Sequence, residues 1–322
     1  MGAKKVTDED LIRVLKATGS PTEAAKILGL SERQLYSRRH LIEEKHGISL
    51  PAYANKKQKT FPTLIPEDRK VIKHYVENGV VLVGSDAHYW PGEPSIAHQA
   101  FVKLAKEIKP HTIVINGDLF DGARISKHDP LFGAKSPTVK QEIEACQERT
   151  SEIEDASKNS KLFLTYGNHD IRLWRYCYLN APELVGLDGL DLFSHFGRWH
   201  HGWRLDINDS TIIKHRWHGG VHAGYNNAMK SFLRTSKGSA AMVTGHLHRL
   251  ICTPFRGESG VAYGVDTGTL ADIGGDQFHY MEANPSIGAS GFAVLTFKDG
   301  MLLPPELCEV INGVAYFRGQ EL

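Results

Sequence analysis

Five clusters of carboxylate, imidazole and amide side chains carry the chemical potential of this 322-residue chain. They are Gly84-Ser85-Asp86-Ala87-His88, Asn116-Gly117-Asp118-Leu119-Phe120-Asp121, Gly167-Asn168-His169-Asp170, Trp217-His218-Gly219-Gly220 and Thr244-Gly245-His246-Leu247-His248. Histidine is the commonest metal ligand and the usual proton shuttle near neutral pH, and the chain holds 17 of them. Any one of these residues alone would more often be a loop or core residue. Together they offer oxygen and nitrogen donors and no thiolate, a mixture that suits Mn²⁺, Fe or Zn²⁺ better than an all-oxygen Ca²⁺ cage. The four cysteines stand far apart with no CxxC pair, which argues against a zinc ribbon or a thioredoxin motif. They read as reduced and mostly structural.

The elements that must position these clusters are short apolar runs. Strands are predicted at 80–83, 112–115 and 161–164, each running into one of the first three clusters. Helical spacing over 97–108 and 137–156 separates them, so the pattern is strand, helix, strand. Ligands in such sheets bind beyond the carboxyl ends of the strands, so the clusters should converge. Later strands are expected at 211–217, 241–244, 261–265, 291–297 and 313–317. No long helices intervene there, which predicts that part of the sheet is antiparallel.

Composition places the chain among ordinary soluble proteins, with 41% hydrophobic and 23% charged residues. This excludes a wholly disordered or collagen-like chain. The formal net charge of +1 hides an asymmetry. Residues 1–60 carry 12 Lys/Arg against 7 Asp/Glu, or +5, and the remainder carries 26 against 30, or −4. The organisation expected is a small helical domain at 1–48, a proline- and lysine-containing linker at 49–70 and a catalytic domain at 71–322. The start of the chain lacks the apolar core of a signal peptide, and no stretch approaches the ~20 apolar residues of a membrane span. The expectation is a cytoplasmic protein with no membrane partner.

In the front segment, Thr7 to Asp10 and Ser31 to Gln34 have capping-box character, and Gly19 and Gly29 end helical runs. The stretch around Ala24, Ala25, Leu28, Gly29, Leu35 and Arg38 resembles the small helix-turn-helix modules of Fis-like and enhancer-binding regulators. That resemblance implies that the third helix offers Arg33, Gln34, Ser37, Arg38 and Arg39 to a nucleic-acid groove, DNA before RNA. The plainer alternative is a three-helix docking or dimerisation module with an ordinary basic face.

The larger segment, roughly residues 76–300, resembles the calcineurin-like metallophosphoesterase superfamily. The resemblance rests on D-x-H (Asp86, His88), G-D-x-x-D (Asp118, Asp121), G-N-H-D (Asn168, His169, Asp170), a strand-end H-G (His218, Gly219) and G-H-x-H (His246, His248), in that order. It implies an α/β fold, a four-layer sandwich of two mixed β-sheets flanked by helices. It also implies two divalent metal ions, Mn²⁺ first and Fe, Zn²⁺ or Ni²⁺ as alternatives. Asp86, His88 and His248 would hold one metal, Asn168, His218 and His246 the other, and Asp118 would bridge them. His169 would protonate the leaving oxygen or stabilise transition-state charge, with Asp121 orienting its ring. His218 is preferred over the nearby His215 and His222 because it ends the expected strand and precedes a glycine. Arg172 and His222 are assigned to substrate phosphate, and Asp170 reads equally well as a loop cap. Tyr89, Trp90, Arg124 and His128 are placed along a substrate cleft by position alone.

The motifs specify phosphoester hydrolysis and leave the ester open. A phosphodiesterase tethered to a nucleic-acid reader most simply cuts nucleic acid, because tethering raises local substrate concentration. A nuclease is therefore expected, related in motif order to DNA-repair nucleases and in its compact layout to phage-encoded phosphoesterases. The alternatives are a protein or nucleotide phosphomonoesterase that uses the front domain for docking, and a non-catalytic DNA-binding regulator.

Overall fold

The computed structural model describes residues 6–46, 48, 50, 70–127, 136–217, 224, 241–257, 260–275, 277–278 and 288–322. The chain divides into two compact units, residues 1–65 and 66–322.

Among the described residues, the front unit contains three helices, α1 (Asp8–Thr18), α2 (Pro21–Leu28) and α3 (Glu32–His46). Thr7 and Asp10 form a reciprocal capping box at the start of α1, and Ser31 and Gln34 exchange the same pair of bonds at the start of α3. Gly19 and Gly29 close α1 and α2 in the left-handed conformation, which glycine adopts without a steric penalty. Leu11, Leu15, Ala24, Ala25, Leu35, Ile42 and Leu50 make a separate small core.

The larger unit is an α/β sandwich of two mixed sheets. Its elements in chain order are β1 (Val71–His74), β2 (Gly79–Gly84), α4 (Ile96–Ile108), β3 (Thr112–Asn116), α5 (Val139–Ala156), β4 (Lys161–Thr165), α6 (Arg172–Asn180), β5 (His200–Gly202), β6 (Arg204–Ile207), β7 (Thr211–Ile213), β8 (Ala241–Thr244), β9 (Leu250–Gly257), β10 (Gly260–Thr267), β11 (Gly291–Lys298), β12 (Met301–Leu302), β13 (Glu306–Ile311), β14 (Val314–Phe317) and β15 (Gln320–Glu321). One sheet runs β15-β14-β13-β11-β2-β3-β4-β5, with β12 on β11, and the other runs β1-β6-β7-β8-β10-β9. Strands β2 to β5 are parallel, and the β11 to β15 side is antiparallel.

The apolar runs are continuous because the central strands are buried on both faces. Val81, Val83, Val114 and Phe163 face the second sheet, where they meet Leu205, Ile213, Val243 and Val265. Leu82, Ile113, Ile115, Leu162 and Leu164 face the other way, onto Phe101 and Leu104 of α4 and Ile143 and Cys146 of α5. Among the described residues, helices α4 and α5 cover the larger sheet, and no helix is long and apolar enough to cross a membrane. Strands β1, β5, β6, β9, β12, β13 and β15 and helix α6 lie outside the elements expected from the sequence. The expected strand at 211–217 stops at Ile213.

Candidate metal centre

The parallel strands deliver their loops to one end of the sheet. Asp86 donates its N–H to the Gly117 carbonyl (2.9 Å), and His88 and Tyr89 donate theirs to the Asp118 and Leu119 carbonyls (both 3.0 Å). Loop follows loop, so the D-x-H and G-D-x-x-D segments form one layer. Two carboxylates then tie on the other loops. Asp86 accepts from the His246 N–H through both oxygens (3.0 and 2.9 Å). Asp118 Oδ1 accepts from the His169 N–H (2.8 Å).

This layer is bought with backbone strain. Asp86, His88, Asp118, His246 and His248 all have positive φ, between 42° and 72°, a region that non-glycine residues rarely adopt. Such residues persist where surrounding structure over-determines them, and they cluster at functional sites. Close approach also requires glycine. A Cβ on Gly167 would collide with the Asp118 carboxylate and backbone, and one on Gly117 (φ +77°) would collide with the His215 ring.

Three groups of side chains converge at ligand distances from one another: Asp86, His88 and His248; His88, Asp121 and His169; and Asp118, His215 and His246. His248 Nε2 lies 3.1 Å from Asp86 Oδ1. His215 Nε2 lies 3.1 Å from Asp118 Oδ2 and 4.0 Å from Asp86 Oδ1, and its Nδ1 bonds the Asn116 carbonyl at 2.7 Å. With Nδ1 donating, Nε2 is left as a lone-pair ligand.

Two observations fit these residues to cations. The buried atoms His88 Nε2, Asn168 Oδ1 and His215 Nε2 have no hydrogen-bond partner among the described residues. Buried polar atoms are ordinarily satisfied; His88 and His215 belong to the converging groups, and Asn168 directly precedes His169 of the second group. Asp86, Asp118 and Asp121 are also buried and must be charge-compensated. Burial opposes ionisation of Asp86, but His215 and His248 hold its carboxyl down at about 2. Asp118 is likewise held well below the usual carboxylate range, against burial, by His215 and His169. The same attraction overcomes burial at His215 and lifts it to about 10. That proton sits on Nε2, the atom facing Asp118 and Asp86, where a bound cation would displace it and leave the lone pair to ligate. Burial and neighbouring His215 push His246 down to about 4, in its ligating neutral form.

The family model for calcineurin-like phosphoesterases matches residues 79–250, more than half of the chain. The chain belongs to the calcineurin-like phosphoesterase family. Members typically bind two divalent metals, and the converging groups are this phosphoesterase's candidate ligands. Among solved structures it is similar to Yfce, a phosphoesterase from E. coli, at 13% identity over 70% of this chain and 97% of that one, with a TM-score of 0.32. It is also similar to a protein serine/threonine phosphatase from Saccharomyces cerevisiae with similarity to human phosphatase PP5, at 11% identity over 75% and 84%, with a TM-score of 0.31. At these scores neither likeness bears on substrate. No curated protein matches the chain.

The structure brings Asp86, His88, Asp118, Asp121, His169, His246 and His248 of the phosphoesterase into these groups and leaves Asn168 with its carbonyl oxygen buried and unbonded. His218, His222 and His128 lie outside the described residues. His215, ranked behind His218 from sequence, is the histidine that the structure sets beside Asp118. The reason is local. The strand ends two residues before His215, and the space left by Gly117 admits its ring.

His169 Nδ1 bonds Asp121 Oδ1 at 2.8 Å, and Trp90 Nε1 donates to Asp121 Oδ2 at 3.3 Å. Burial opposes ionisation of Asp121, but bonds from His169 and His88 hold it strongly down, so it stays a carboxylate. Arg172 reaches His169 Nε2 (2.9 Å) and the Asp121 carbonyl (2.7 Å). A guanidinium only donates, so Nε2 accepts and Nδ1 carries the proton. Asp170 proves to be a clamp. It accepts from the N–H groups of Asp118 (2.8 Å), Phe120 (3.1 Å) and Gly167 (2.8 Å), while burial and Asp118 raise it to about 6.

Sequence reasoning missed two residues at this site. Phe278 packs edge-on against His88 and His248, at centroid distances of 5.8 and 5.1 Å, and no local pattern announces it. Glu142 is fully buried under the Asp121 turn. Its one signal is position, because it shares the buried stripe of α5 with Cys146, Arg149 and Ile153.

Arg39 of the front unit departs from expectation. It is 8% exposed and lies 3.3 Å from Glu43, so it faces inward. Arg38 is half-buried and binds the Val6 carbonyl and Asp8 at 3.1 and 2.9 Å. Gln34 is exposed and caps its own helix, and Arg33 contributes no described side chain.

Proposed function

We propose that this phosphoesterase is a dinuclear-metal-dependent nuclease, hydrolysing phosphodiester bonds in nucleic acid that the front unit recruits. The observation that carries the hydrolytic part is the set of unbonded buried ligand atoms on His88, Asn168 and His215 around ionised Asp86 and Asp118. Two divalent cations, Mn²⁺ by preference, held by Asp86, His88 and His248 and by Asp118, His215 and His246, would supply an activated water and a clamp on the phosphoryl oxygens when bound. The chain's own groups do the rest. Asp121 holds the Nδ1 proton of His169, and Nε2 faces the site. Arg172 moves from Nε2 to a substrate phosphate, a planar fork suited to that ligand, and Nε2, freed, takes a proton from solvent and passes it to the leaving oxygen.

The nucleic-acid part rests on the +5 charge of residues 1–60 and on an open depression lined by Leu30, Ser31, Gln34, Ser37 and Arg38 at the start of α3. The engagement of Arg38 with Asp8 and of Arg39 with Glu43 favours a second reading, a phosphomonoesterase whose front unit docks a partner.

The deciding experiment is a Mn²⁺-supplemented panel of bis-p-nitrophenyl phosphate, phosphomonoesters, and single- and double-stranded DNA and RNA, for the whole chain and for the chain lacking residues 1–65. The nuclease reading expects turnover of the small diester by both forms, and salt-sensitive nucleic-acid cleavage that weakens in the shorter one. Equal cleavage of nucleic acid by both forms removes the recruiting role. Monoester turnover without diester turnover selects the second reading.

A further inference from the structure

Glu142 is the one fully buried acidic side chain among the described residues of α5. Its carboxylate accepts two successive backbone N–H groups, Gly122 to Oε2 at 2.5 Å and Ala123 to Oε1 at 3.2 Å. These amides directly follow Asp121. That turn is crowded and specific: Gly122 has φ +66°, and a Cβ there would press on the Phe120 ring and the Arg172 side chain. On its near side, Asp121 Oδ1 accepts from His169 Nδ1 at 2.8 Å, and its backbone carbonyl accepts from Arg172 at 2.7 Å. Helix α5 itself is rigidly seated, with Ile143, Ala145, Cys146 and Ile153 in the core between sheet and helices.

We propose that Glu142 is a positioning residue that pins the Asp121–Ala123 turn to helix α5, and through Asp121 sets the His169 ring for proton transfer to the leaving oxygen. The inference rests on the reading of His169 given above. In the step concerned, the oxygen of a water bonds to phosphorus as the bond from phosphorus to the leaving oxygen breaks, and that oxygen takes the Nε2 proton of the imidazolium, a proton drawn from solvent once Arg172 has left Nε2. The Nδ1 proton stays on His169 in its bond to Asp121, and the ring ends neutral. A group that must meet a developing oxyanion tolerates little displacement, and a misplacement of about 1 Å can cost roughly 100-fold. Removing Glu142 leaves two amides without their acceptors beneath the site and frees the turn that holds Asp121. Burial also pushes the Glu142 carboxyl up to about 8, against the two amide bonds that favour its ionised form. Glutamine, a neutral isostere that keeps one acceptor oxygen, is therefore the conservative replacement.

The test compares two diesters that differ in leaving group, bis-p-nitrophenyl phosphate and diphenyl phosphate, whose departing phenoxide is more basic and depends more on a proton donor. The proteins are wild type, Glu142→Ala, Glu142→Gln and His169→Ala, with Mn²⁺ affinity followed by calorimetry. We expect Glu142→Ala to lose about 10- to 100-fold in kcat on diphenyl phosphate and clearly less on the nitrophenyl ester. KM and both Mn²⁺ affinities should stay near wild type, and Glu142→Gln should recover to within about threefold. Should Glu142→Ala fail to fold, Glu142→Asp, which withdraws the carboxylate by one methylene, must show the same leaving-group dependence. Equal losses on both esters, or weakened Mn²⁺ binding, would make Glu142 a structural residue and overturn the proposal. If His169→Ala shows no leaving-group dependence, or wild type hydrolyses neither ester, the underlying reading of His169 fails, and the proposal with it.

Discussion

The two units of this chain solve opposite problems. The front helices place each residue where its backbone is relaxed: Thr7 and Ser31 cap, glycines terminate, and Leu11, Leu15 and Leu35 fill a small core. The strand-end loops of the larger unit do the reverse. Asp86, His88, Asp118, His246 and His248 sit at positive φ, and the carboxyl groups of Asp86, Asp118, Asp121 and Asp170 are buried at one place. Local propensity builds the first unit. The second holds locally unfavourable residues in place because a two-sided core and a ladder of loop hydrogen bonds outweigh their strain, which costs of order 1–3 kcal/mol per residue. The contrast implies that changes in the loops are read in metal binding and turnover, and changes in the core of the front helices in that unit's stability without loss of small-ester turnover.

The largest expected effect tests the loop side. His215→Ala should weaken one Mn²⁺ binding step by more than the roughly 10–100-fold that loss of an outer partner costs and bring hydrolysis to background, whereas His218→Ala should leave both steps in place. Calorimetry that shows the opposite ranking would return the strand-end assignment to His218. Next, Leu15→Ala opens a cavity in the front core and should cost that unit about 2–5 kcal/mol, with bis-p-nitrophenyl phosphate turnover unchanged. A parallel fall in turnover would show that the units are not independent.

A smaller effect links the two kinds of chemistry. Burial raises Glu142 from 4.5 to about 8. A carboxyl raised on folding contributes stability that is fully present below its unfolded value and is lost as pH rises through the folded one. Thermal unfolding should therefore show stability declining from pH 4.5 toward 8, and Glu142→Gln should flatten that decline. An unchanged slope would place its origin in other groups. The smallest effect is Thr7→Ala, which removes the capping box of α1 and should cost about 1 kcal/mol in denaturant unfolding, with no change in Mn²⁺ affinity.

Much of the fold was legible because continuous apolar runs between polar clusters are what a doubly covered parallel strand requires. Val80 to Val83 and Lys161 to Leu164 were readable for that reason, and so were α4 and α5 from their helical spacing. The three- and four-residue strands β1, β5 and β6 and the end of β7 were not, since so short a segment has no usable period, and neighbours rather than propensity define its ends. The expected strand to 217 favoured His218, which lies outside the described residues; the structure ends β7 at Ile213 and sets His215 beside Asp118. Arg39 looked available on a basic helix, but its angle around α3 turns it toward Glu43.

Residue types and order alone determined that a metal-type donor set exists, that it falls at strand ends, and which atoms can ligate, because those properties belong to the side chains and their spacing. Tertiary structure set His215 beside Asp118, made Asp170 a clamp on three amides, and brought a glutamate 20 residues beyond the second loop under the Asp121 turn. Those assignments depend on where a missing Cβ leaves room and which buried amide finds an acceptor. Such distances are set between segments far apart in the chain.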